Sequence, residues 1–129
     1  MKLNVLISIK PQYTKEILLG NKRYEYRKRI FKEEVDKIYI YSTSPEQKIV
    51  GYFKYKGYKM GTPEELWEET NLFSGINKEA YFEYFEGRKE AYAIQIEEVY
   101  EFDRAIEPKE AFEKFTAPQS YMYLKGDIV

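Results

Sequence analysis

The stretch GNKRYEYR, residues 20–27, is the one around which the rest of the chain reads, with Lys28, Arg29 and Lys32 directly after it. Gly20 ends a helix-like segment, because glycine enters the left-handed backbone region that stops a helix without steric cost. Residues 23–29 then alternate tyrosine with charge, a strand pattern. Side chains two apart on a strand share a face, so Glu25 and Arg27 point together while Tyr24 and Tyr26 face away as sheet packing. Lys22 lies in the turn before them. Three charged groups are thereby held close, an arrangement that serves either as a site or as an ion-pair staple.

Working outward, residues 3–9 form a short apolar run read as a strand, broken by Lys10 and Pro11. Proline suits a first helical turn, where its missing N–H would have no partner, so residues 11–20 read as a helix with Tyr13, Ile17 and Leu18 inward. After the motif, residues 35–41 read as a strand, 42–46 as a turn and 48–59 as one long strand. Gly51 and Gly57 mark bulges or close backbone approach in it. Thr62, Pro63 and Glu65 open a helix with a capping box, anchored by Leu66 and Trp67. Ser74 and Gly75 form a loop into a helix over 77–86, and residues 90–102 read as the last long strand. A short helix over 108–115 and a closing strand over 120–124 follow. Few helices among about six short strands predict an α+β, mostly β fold: a small barrel, mixed but mainly antiparallel, decorated by three to four helices.

The chain has 129 residues, one domain's worth, and the whole of 1–129 is read as a single domain. It contains neither Cys nor His, which removes disulfides, thiol nucleophiles, Ser-His relays and the usual zinc ligands. Catalysis would fall to Lys, Glu, Asp, Tyr, Ser or Thr. No segment approaches the roughly 18 to 20 apolar residues of a membrane span, and the start is too short for a signal sequence, so a cytoplasmic location without a membrane partner is expected. The net charge of −1 hides an asymmetry: residues 1–60 carry 14 basic and 6 acidic side chains, residues 61–113 carry 5 and 15. Either the two halves attract each other across the fold, or a basic face meets phosphate.

Ser8, Ile9, Lys10 and Pro11 before a helix, then Gly20, Lys22, Glu25 and Arg27 as G-x-K-x-x-E-x-R, resemble the ASCH domain of the PUA-like superfamily. The YIYSTSP turn at 39–45, the strand containing Val50 and Gly51, and PQS at 118–120 extend the resemblance over nearly the whole chain. It implies a β-barrel with a cleft beside the signature and RNA or nucleotide binding. Members of the wider family are assigned activity on acetylcytidine or as ribonucleases.

On that resemblance the cleft would gather Ser8, Lys10, Lys22, Glu25, Arg27 and Ser120, with Lys28 and Arg29 for phosphates and tyrosines for stacking. The leading expectation is an RNA- or nucleotide-binding module. The alternative is a hydrolase of an acylated pyrimidine nucleoside or of RNA, metal-independent, with Lys22 and Glu25 as the catalytic groups. A lysine base needs a lowered pKa, from burial or from cations such as Arg23 and Arg27. In the acetylcytidine-processing branch the position of Glu25 is usually a threonine nucleophile, so this chain departs there. A further alternative is a protein-interaction module using the acidic helices at 64–69 and 79–86. No phosphate loop, dinucleotide fingerprint or metal pattern occurs, so no cofactor is expected, and a monomer is favoured.

Overall fold

In the computed structural model, residues 3–129 are described, and the most apolar strand lies inside the larger sheet. That strand, β1 (Leu3–Ile9), is almost wholly buried because partners flank it on both sides. It pairs in parallel with β3 (Lys37–Ser42) and antiparallel with β8 (Tyr121–Lys125). With β4 (Lys48–Lys54) and β7 (Val99–Ile106) the sheet runs β7-β4-β3-β1-β8. A second sheet places β6 (Ala91–Gln95) between β2 (Tyr24–Arg27) and β5 (Tyr58–Gly61). Every pairing except β1 with β3 is antiparallel. The fold is thus α+β and mostly sheet, as the sequence predicts.

The strand count differs from the expectation, and the reason is local. The stretch 48–59 leaves the first sheet after Lys54, turns through Gly57 at φ 106°, and enters the second sheet as β5. The stretch 90–102 likewise divides into β6 and β7, one in each sheet. Apolar alternation continues through the first crossing and conceals it, whereas the acidic pair Glu97 and Glu98 interrupts it at the second. The two sheets do not close into one hydrogen-bonded barrel, although single bonds tie them, such as Ile96 N–H to the Arg23 carbonyl at 2.9 Å.

Helices cover the sheets where the sequence supplies caps. Pro11 opens α1 (Pro11–Leu18), which buries Ile17. The Thr62–Glu65 capping box closes both ways, at 2.9 and 3.1 Å, and starts α2 (Pro63–Thr70). Asn77 caps α3 (Lys78–Tyr84) by accepting from Ala80 N–H at 2.8 Å. The expected helix at 108–115 is only one turn, α4 (Pro108–Ala111). None of the helices among the described residues is long and apolar enough to cross a membrane.

The main core joins Val5, Ile7, Ile38, Ile40, Phe53 and Ile94 with Ile17 of α1. A second cluster packs Tyr26 and Ala93 against Leu66 of α2 and Tyr81 and Phe85 at α3. Its tyrosines are buried with their hydroxyls satisfied: Tyr26 OH meets Thr70 Oγ1 at 2.7 Å, and Tyr81 OH donates to the Pro63 carbonyl at 2.8 Å. A buried phenol without such a partner would cost free energy.

Gly51 lies where the β4–β7 register shifts, and a Cβ there would collide with the Tyr100 carbonyl oxygen. Gly51→Ala should therefore cost about 1–3 kcal/mol, as overpacking does. Urea unfolding monitored by tryptophan fluorescence measures it; an unchanged midpoint would contradict this account of the bulge.

Candidate functional site

Arg27 is the junction of the charged cluster. Its Nε and Nη2 donate to Glu25 Oε2 at 3.1 and 2.8 Å, Nη2 also donates to the Ser8 carbonyl at 2.8 Å, and Nη1 donates to Ser120 Oγ at 3.1 Å. A guanidinium carries five N–H donors, so one on Nη1 remains. Glu25 and Arg27 share a face of β2 as the strand spacing requires, and Arg27 thereby fastens the second sheet to β1 of the first. Ser8 is committed too: its hydroxyl donates to the Pro118 carbonyl at 2.7 Å and its N–H to the Ser120 carbonyl at 3.0 Å. The PQS turn is thus clamped beside the motif.

Lys22 is 2% exposed. Its Nζ donates to the Ser74 carbonyl at 2.5 Å, lies 4.0 Å from Glu25 Oε1, and stands 5.3 and 4.9 Å from the ring centres of Tyr13 and Tyr26. Gly75, at φ 62°, presses on the lysine stem so closely that a Cβ would collide with it. Burial pushes the amine's pKa below its ordinary value; the Glu25 carboxylate pulls it back up, and Arg27 pushes it down again. Arg23 takes no part in this: its guanidinium stacks on Phe73 at 4.5 Å instead.

These groups line a cleft of about 1060 Å³. The sequence-predicted residues Ser8, Lys10, Lys22, Glu25, Arg27, Lys28, Arg29 and Ser120 all border it. Lys10 is exposed at the start of α1, and Lys28 lies over the Tyr84 ring at 4.6 Å. Lys32 does not line it; its backbone N–H donates to Tyr123 OH at 3.1 Å. Sequence reading missed the opposite wall, where α3 and its exit contribute Glu83, Tyr84 and Arg88. Arg88 follows Gly87, at φ 76° in the turn after α3, and donates to the Lys28 carbonyl at 3.0 Å, a long-range contact with no local signal. Thr43 and Tyr13 complete the lining near β1 and α1. No group of three or more metal-ligating side chains occurs among the described residues.

Residues 7–101 match the ASCH domain family. This chain belongs to that family. The ASCH domain-containing ribonuclease of Zymomonas mobilis is 28% identical over 129 residues, covering 95% of this chain and 84% of that protein. The crystal structure of ASCH from Zymomonas mobilis superposes with a TM-score of 0.87 at 28% identity, covering 95% of this chain and 87% of that one. ATP synthase subunit alpha of Ureaplasma parvum serovar 3 is 30% identical over 127 residues; this is 96% of this chain and only 16% of that protein.

Within the ASCH fold, the burial of Lys22 has a measurable sign. The unfolded chain keeps this proton up to the ordinary value of 10.5, whereas the folded chain releases it earlier. Between the two values the unfolded state binds more protons, so folding stability rises with pH across that window. The penalty of a buried cation is full below the folded value and relieved above it. Relative to Lys22→Met, which keeps the stem against Gly75, the wild type should gain stability as pH approaches 10.5. Urea melts of both proteins across alkaline pH check this, and parallel profiles would refute it.

Proposed function

We propose that this ASCH domain binds single-stranded RNA along the cleft. The observation that carries the reading is charge: Lys10, Lys22, Arg27, Lys28, Arg29 and Arg88 face only Glu25 and Glu83 among the lining residues. Neither Lys10, Lys28, Arg29 nor Arg88 forms an ion pair with a described residue, so these cations are available to phosphate. Tyr13, Tyr84 and Tyr121 supply rings on the same walls, and stacking adds roughly 1–3 kcal/mol per base without demanding a sequence. The ribonuclease name of the Zymomonas mobilis relative supports RNA as the ligand.

Arg27 acts here as a scaffold with one spare N–H, and the rim cations Lys28 and Arg29 carry the phosphate contacts. Each contact removed should flatten the log-log salt dependence of affinity by roughly 0.7. Fluorescence anisotropy with a short labelled RNA should show this loss in Lys28→Ala and again in Arg29→Ala. Absence of any salt-sensitive binding would sink the proposal.

A second reading, RNA cleavage in the same cleft, is favoured by the lowered pKa of the Lys22 amine beside Glu25. A neutral amine accepts a proton, as a general base must. Glu25 suits an orienting role better than a nucleophilic one, since Arg27 holds one of its oxygens with two hydrogen bonds. If the domain cleaves RNA, product formation followed by chromatography at saturating RNA, where a loss of affinity no longer limits the rate, should vanish in Lys22→Met. Cleavage persisting in that variant would exclude Lys22 as the base.

A further inference from the structure

Glu25 divides its two oxygens unequally. Oε2 accepts both hydrogen bonds from Arg27. Oε1 accepts none from any described residue and lies 4.0 Å from Lys22 Nζ, too far for a hydrogen bond. Yet the Glu25 side chain is only 9% exposed and that of Lys22 2%. Lys22 Nζ commits one proton to the Ser74 carbonyl, which leaves further donor capacity on the same wall. Oε1 is not sealed from the cleft, so a ligand that enters can reach it and add a hydrogen bond to a charged group.

One acceptor and one donor therefore stand side by side in the cleft, with the rings of Tyr13 and Tyr26 about Nζ. A flat group bearing an N–H beside an acceptor would satisfy both at once. We infer that Glu25 Oε1 and Lys22 Nζ read the Watson–Crick edge of one unpaired base. This rests on the RNA-binding reading and names what the cleft selects. Adenine and cytosine carry an exocyclic amine beside a ring nitrogen; uracil and guanine carry a ring N–H beside a carbonyl oxygen. All four bases fit the pair, so it selects for an unpaired base over a paired one, whose edge the complementary strand already occupies.

The test compares a short oligouridylate with the same oligomer built from 3-methyluridine, which keeps the phosphates, sugars and ring faces but lacks the ring N–H. Wild type should bind the unmodified oligomer about tenfold tighter, the scale of one lost hydrogen bond to a charged group. Glu25→Gln keeps an oxygen for Arg27 but turns an amide donor toward Lys22. It should erase the preference while leaving the salt slope unchanged. Equal wild-type affinity for the two oligomers would overturn the edge reading and leave RNA binding standing. Binding of neither would overturn RNA binding, and the edge reading with it. A Glu25→Gln loss equal for both oligomers would reduce Glu25 to holding Arg27.

Discussion

The geometry of the cleft depends on one guanidinium. Arg27 reaches from the smaller sheet to the Ser8 carbonyl in the larger one, to Ser120 before the last strand, and to Glu25 two residues back. Its planar fork makes these bonds at once, which a lysine with a single rotating ammonium could not reproduce. Because the two sheets share no continuous ladder, this side chain supplies registry that backbone pairing does not. Glu25 is the necessary counterpart: without it, a largely buried cation would lack compensation. The motif is therefore scaffold first, and its chemistry follows from what the scaffold leaves unpaired.

The high tyrosine content divides between two duties. Tyr26, Tyr39 and Tyr81 are core residues whose hydroxyls reach Thr70, the Val129 carbonyl and the Pro63 carbonyl. Burial raises the pKa of the Tyr26 phenol to about 12, so it remains a neutral partner for Thr70. Tyr13, Tyr84 and Tyr121 instead keep part of their rings at the cleft. Composition alone offers no way to tell these groups apart; the helical spacing of Tyr81 and Phe85 does so for one of them.

Much of the architecture was legible wherever a local rule was strong. The Thr62–Glu65 box, Asn77 and Pro11 start their helices as predicted, and the glycine at 51 marks the bulge. The first long strand conceals its crossing because alternation persists from one sheet to the other, and only the backbone turn at Gly57 betrays it; the second carries a local sign, the adjacent acids Glu97 and Glu98, that the strand reading passed over. Around the cleft, the motif and its local neighbours were readable because strand spacing fixes their faces. The α3 wall was not, since Arg88 meets Lys28 across 60 residues of sequence. Nor could spacing reveal that Arg23 turns away to Phe73, a partner supplied by the short 3-10 turn Asn71–Phe73.

The strands β5 and β6 pair directly, so residues 62–90, which carry α2 and α3, amount to an expanded hairpin connection. Loop closure grows only slowly with length, about 0.6 kcal/mol for each doubling. Such a connection can be lengthened, shortened or recomposed while the sheet beneath it keeps its register. One wall of the cleft is thereby exchangeable independently of the other, which is fixed in β1 and β2. The lining of that wall can diversify through this segment without renegotiating the fold, provided that its loop still brings the Ser74 carbonyl to Lys22 and a glycine to the lysine stem.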